Sequence, residues 1–215
     1  MAIRKNTVFE QVSGKIGDTI TRYRYGKYVT YKKPELINYS QSTKAINART
    51  KFGYTVKFAR LINSVPELKC AWKSVKIKGV NPYQRIIKHN AKFTSVVGLT
   101  TKNIITPPGI DCFKYSIVID KSEILVSSVL DTDYLKPPYK IHVLLFCFDE
   151  KENAMHFVNS NDVLLKEKNI LEGRISLDEG IKKEVSNSKN ILLLCAFTSS
   201  TKKTFWSSTF SSELK

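Results

Sequence analysis

The sequence predicts a mixed α+β chain: a basic N-terminal region of hairpin and helices, then an antiparallel β-sandwich, Ig-like in architecture. Three observations carry this. The stretch "TITRYRYGKYVTYKK" (19–33) sets tyrosines and cations in alternation around a Gly-centred turn. Apolar residues then recur at helical spacing through 40–67. From residue 113 onward the chain reads as short β-rich segments between tight turns, with no long helical pattern among them.

In chain order, Tyr25-Gly26-Lys27-Tyr28 is the first turn signal. Gly at the first central position suits a type II′ hairpin turn. Pairing outward sets Tyr25 opposite Tyr28, Arg24 opposite Val29, Tyr23 opposite Thr30 and Arg22 opposite Tyr31. One face would carry Tyr23, Tyr25 and Tyr28, the other Arg22, Arg24, Val29 and Tyr31. Neither is a clean core face. In "SQSTKAINARTKFGYTVKFARLINSVPE" (40–67), Ser40 or Ser42 can cap a helix. Ala45, Ala48, Phe52, Val56, Ala59 and Ile62 form its apolar stripe, and Lys44, Arg49, Lys51, Lys57 and Arg60 flank it. Pro66 ends it. "NPYQRIIKHNAKFTS" (81–95) predicts a second helix with Pro82 in its first turn, whereas 71–78 reads equally as a strand or the end of a helical hairpin.

"TPPGID" (106–111) punctuates the chain. The boundary is placed there, giving a basic hairpin and helical region at 1–108 and a β-sandwich domain at 109–215. Seven strands are expected beyond it, at 113–120, 123–130, 139–148, 153–160, 173–177, 189–199 and 203–210.

Charge changes at the same place. Residues 1–110 carry 21 Lys and Arg against four acids, a net of +17, while 111–215 carry 14 against 15, a net of −1. Such asymmetry points to an anionic partner for the first half: nucleic acid, an acidic protein surface or an anionic membrane. The N-terminus has no apolar run fit for a signal peptide. No stretch approaches the roughly 18 apolar residues of a membrane-spanning helix, so membrane insertion is not expected. Cys70, Cys112, Cys147 and Cys195 lie more than 30 residues apart, which gives no zinc-type pair. Reduced core thiols and a cytoplasmic or particle-associated setting follow.

No catalytic constellation emerges. "SGKIGDT" (13–19) fails as a phosphate loop, because Phe9 stands where the motif needs Gly and Ile16 follows Lys15. Gly14 and Gly17 read instead as turn residues. His89, His142 and His156 belong to no ligand or nucleophile pattern, and "DTD" (131–133) suits a turn. The expectation is a protein that is not an enzyme, with no cofactor, no metal and no small-molecule substrate.

The positive signal is the basic and aromatic interleaving of 15–60. Lys15, Arg22, Arg24, Lys27, Lys32, Lys33, Arg49, Lys51, Lys57 and Arg60 can neutralise phosphates. Tyr23, Tyr25, Tyr28 and Tyr31 can stack on bases or fill a protein interface.

Three segments, "SGKIGDTITRYRYGKYVTYKKP" (13–34), "STKAINARTKFGYTVKFARLI" (42–62) and "NPYQRIIKHNAK" (81–92), together with the terminal "CAFTSSTKKTFWSSTF", resemble an uncharacterised family of proteins of about 200 residues from Bacteroidetes bacteria and their phages. The resemblance implies a bacterial or phage setting and supplies no catalytic residue. The expected function is a structural component of a large assembly, its basic half docking on other subunits or nucleic acid. A nucleic-acid-binding protein that acts alone is the alternative.

Overall fold

The computed structural model describes residues 14–32, 39–120, 122–130, 137–148, 153–167, 169–200 and 204–214. The chain forms two compact units, Met1–Ser42 and Thr43–Lys215. The boundary expected near residue 108 therefore lies inside the second unit.

In the first unit, β1 (Gly14–Ile16), β2 (Thr19–Arg24) and β3 (Lys27–Lys32) make a three-stranded antiparallel meander. Its second turn lies one residue earlier than expected, which moves every cross-strand partner by two. The loop is Tyr25-Gly26, with φ of 52° and 79°. Positive φ at both central residues marks a type I′ turn, whose twist matches that of the strands. Gly26 adopts it freely, whereas Tyr25 does so at a cost of about 1–2 kcal/mol. Two cross-strand contacts favour this register. Tyr23 lies opposite Tyr28 with ring centroids 4.8 Å apart, and the hydroxyls of Thr21 and Thr30 meet at 3.0 Å.

The second unit centres on two antiparallel sheets. One follows the order β11 (Thr204–Trp206), β10 (Asn190–Ser200), β6 (Tyr139–Phe148), β7 (Asn153–Ser160), with β12 (Phe210–Leu214) also paired to β10. The other runs β4 (Cys112–Asp120), β5 (Glu123–Leu130), β9 (Ile170–Ser176), β8 (Val163–Glu167). Of the seven strands expected, β5, β6 and β7 keep their predicted bounds. The last one divides into β11 and β12, and β8 was not anticipated. Neither was the helix α4 (Glu179–Asn187), although Asp178 caps it by accepting from the Ile181 amide at 2.8 Å.

The unbroken apolar runs of β6 and β10 follow from burial on both faces. Ile141, Val143, Leu145 and Cys147, with Ile191, Leu193, Cys195 and Phe197, join one core with Ile124 and Val126 of β5 and Leu171 and Ile175 of β9. Gly173 of β9 admits Ile141, since a Cβ there would lie 2.8 Å from its Cδ1. The alternate residues Leu144, Phe146, Leu192, Leu194 and Ala196 pack instead on helices.

Those helices are α1 (Thr43–Ser64), α2 (Pro66–Ser74) and α3 (Pro82–Asn90). Only the second half of α1 packs, burying Thr55, Phe58, Ala59 and Ile62. Of the predicted stripe, Ala59 and Ile62 are core, Ala45 and Val56 are half-buried, and Ala48 and Phe52 are exposed. Pro66 follows the end of α1, as expected, and also opens α2. The segment 71–78 is thereby the end of a helical pair, and Trp72 anchors it by donating its indole N–H to the Ile105 carbonyl at 2.9 Å.

Arg85 of α3 closes the other end of α2. Its Nη1 donates to the carbonyls of Trp72, Lys73 and Val75 at 3.0, 2.6 and 3.1 Å, and its Nε to that of Gly79 at 3.2 Å. The cation thus satisfies carbonyls that the end of a helix leaves without an intrahelical partner. We expect Arg85→Ala to cost about 2 kcal/mol, read as a lower urea midpoint with an unchanged slope. A loss below about 0.5 kcal/mol would mean that water replaces the guanidinium.

Candidate polyanion interface

The described residues of the first unit bury nothing. Every residue from Gly14 to Lys32 is exposed or half-buried. A small meander without a core is marginal in water by itself, so its side chains are arranged for something other than internal packing.

Strand alternation and register assign the two faces. Lys15, Arg22, Arg24 and Lys27 share one face with Ile20, Val29 and Tyr31. Tyr23 and Tyr28 share the other with Thr21, Thr30 and Lys32. Tyr25 stands at the turn, 67% exposed, and Tyr23 is 58% exposed. The expected grouping of Arg22, Arg24, Val29 and Tyr31 is retained. The corrected register moves Tyr25 off the face it was expected to share with Tyr23 and Tyr28.

The register also places Arg24 directly opposite Lys27. Two like charges in a cross-strand pair repel and destabilise the sheet. Among the described residues, no acid forms an ion pair with Lys15, Arg22, Arg24 or Lys27, and Asp18 is the one acid within 14–32. An anionic partner would supply the missing counter-charge.

Arg49, Lys51, Lys57 and Arg60 belong to the second unit, where all four are exposed on α1. That helix has five cations and no acid in 22 residues, so it lacks the i,i+4 ion pairs of an ordinary solvated helix. Lys33 lies outside the described residues, as does the "DTD" segment.

Chemistry elsewhere is sparse. Among the described residues, no group of three or more His, Cys, Asp or Glu side chains is placed to hold a metal ion. Cys147 and Cys195 are buried thiols, as the sequence indicated, and burial raises the pKa of both. His142 is fully buried, its Nε2 2.8 Å from the Thr198 hydroxyl, and desolvation lowers its pKa to about 4. His156 pairs with Glu184 at 2.5 Å on the partly exposed side of α4. His89 packs edge-on against Trp72, and burial lowers its pKa. No helix among the described residues is long and apolar enough to cross a membrane.

The chain matches no family model, no curated protein and no solved structure. Two features of the molecule's cationic surface escaped sequence reasoning. The Arg24–Lys27 opposition depended on a turn type, and Gly26 is compatible with either choice. The cleft beside Lys57 and Arg60 needs β6 and β7, which are distant in sequence.

Proposed function

We propose that the chain is a non-enzymatic interaction component of a larger assembly of phage or particle type, docking through the cationic face of its meander onto an anionic partner. The observation that carries this reading is the set of four cations that, among the described residues, have no acidic partner, on a sheet whose described residues bury nothing. Arg22, Arg24, Lys27 and Lys15 meet the partner's charge, while Tyr31, Val29 and Ile20 supply contact area. The two sheets that share a core, read as an Ig-like sandwich backed by helices, serve as the rigid body. The resemblance to Bacteroidetes and phage proteins fits such a setting, and a cytoplasmic or particle-associated location goes with it.

A second reading, a nucleic-acid-binding protein that acts alone, is favoured by Tyr23 and Tyr28. Two adjacent rings on one face suit stacking on unpaired bases. Fluorescence anisotropy with duplex and single-stranded oligonucleotides across a salt series tests both readings, with the solution mass measured alongside. A monomer that binds, with log Kd rising by about 0.9 per phosphate contacted for each tenfold rise in salt, supports the stand-alone reading. A self-associating chain that ignores oligonucleotides supports docking on subunits. On the single-stranded probe we expect Tyr23→Ala to weaken binding by about 1–3 kcal/mol with an unchanged salt slope. A change in slope alone would assign the tyrosine no stacking role.

A further inference from the structure

A cleft in the second unit has a chemistry separate from that of the meander. It has a volume of about 420 Å³ and lies between α1 and the β6–β7 pair, lined by Tyr54, Lys57, Arg60, Leu61, Phe146 and Met155 among others. That volume is within the range of sites for small organic ligands.

Its rim donates hydrogen bonds. Lys57 and Arg60 sit one turn apart on α1, both exposed, and neither forms an ion pair with a described acid. Tyr54 lies one turn earlier, and its hydroxyl accepts from Asn153 Nδ2 at 2.6 Å, which leaves its own proton to donate. Asn153 is itself held by donating to the Val97 carbonyl at 3.0 Å. The floor is apolar: Phe146 is 1% exposed and meets the Tyr54 ring edge-on at 6.1 Å, and Leu61 and Met155 pack against the same core.

An occupant therefore needs an anionic head that only accepts hydrogen bonds and a flat apolar body. Two cations match a dianion. A phosphate monoester carries about −1.5 to −2 at neutral pH, whereas a carboxylate would leave one cation unmatched. We propose that this cleft binds an aromatic phosphate monoester of nucleotide size, its phosphate on Lys57 and Arg60 and its ring over the half-buried Leu61 and Met155, with Phe146 packed beneath them. The site lies wholly in the second unit and does not depend on the meander's role.

The test uses the full chain titrated with adenosine 5′-monophosphate, adenosine and inorganic phosphate, followed by amide chemical shifts. The monophosphate is expected to bind about tenfold tighter than either fragment. Lys57→Met and Arg60→Met should each weaken it about tenfold, one charge-assisted hydrogen bond apiece, and leave adenosine unaffected. Tyr54→Phe, which keeps the ring, should lose less. Lys102→Met, an exposed cation of the second unit outside the cleft, should change nothing. Equal affinity for inorganic phosphate and the monophosphate would overturn the proposal, as would full affinity in Lys57→Met and Arg60→Met, or absence of binding at about 10 mM ligand. A 5′-phosphorylated dinucleotide that binds as tightly as the monophosphate supports a strand end as the source, and its exclusion supports a free nucleotide.

Discussion

A chain carrying Arg22→Gln, Arg24→Gln and Lys27→Gln is expected to bind a duplex oligonucleotide roughly 500-fold more weakly at 0.1 M salt. Each phosphate neutralised contributes about 0.9 to the slope of log K against log salt, so at 0.1 M each neutralised phosphate is worth about 0.9 decades relative to 1 M. Three cations removed from the face therefore account for nearly three decades. The slope should become shallower by about 3, and the two affinities should converge near 1 M. The three side chains are exposed and unpaired with acids among the described residues, and the substitution relieves the repulsion between Arg24 and Lys27. The meander should therefore keep its fold and lose only its charge. If the partner is an acidic protein surface, the same variant should fail to assemble, again with salt dependence. Wild-type binding with an unchanged slope would remove the cationic face from the function.

Much of the framework is legible in the residues themselves. "IHVLLFCF" and "NILLLCAF" can only be strands of a core, because they are apolar, β-branched in part and too short for buried helices. The same runs carried a further message in their lack of alternation: an unbroken run implies cover on both sides. The sandwich expectation supplied only one cover, the second sheet. The other is provided by α1, α2 and α3, which is why the helices could not be set apart as a separate region ending at 108. The segment around Pro107 and Pro108 looks like a linker by composition, yet Thr106 donates to the Ser207 carbonyl at 2.8 Å and the Ile110 amide to that of Trp206 at 3.1 Å. Such partners lie about a hundred residues away and leave no local trace.

The candidate interface was legible in composition and less so in geometry. Alternating Arg and Tyr identified the meander, and the type of every contributing side chain could be read directly. Which cation faces which tyrosine depended on one turn. Type II′ at Gly26-Lys27 and type I′ at Tyr25-Gly26 differ by one residue, and that shift reassigns every cross-strand pair. Only the tyrosine and threonine contacts across the strands discriminate between them. For α1, charge placement was plain, but helical periodicity could not reveal that packing begins at Thr55, since that depends on where the central sheet ends.

The stability of the second unit is expected to fall by about 3 kcal/mol between pH 6.5 and pH 4 through His142 alone. The ring is fully buried beside Phe157, with centroids 6.0 Å apart, and among the described residues Nδ1 has no hydrogen-bond partner. A charged imidazolium there would need a second acceptor, and the described residues offer none. Desolvation is the largest influence and holds the pKa near 4. The neighbouring Glu67 carboxylate opposes it and Lys140 reinforces it, the two forming an ion pair at 3.1 Å. In the unfolded chain the same histidine takes up its proton near pH 6.5. Its folded pKa is depressed, so the unfolded state binds the extra proton between the two values. Stability is then complete above pH 6.5, declines as pH falls toward 4, and loses no more through this group below that. Urea unfolding of the wild type and of His142→Phe at pH 7, 5.5 and 4 isolates the contribution. The variant forfeits the Thr198 hydrogen bond and should start lower at pH 7. Its curve should nevertheless be flatter, and the gap should close or reverse by pH 4. Parallel curves over that range would show that the buried ring takes up its proton without opening the core.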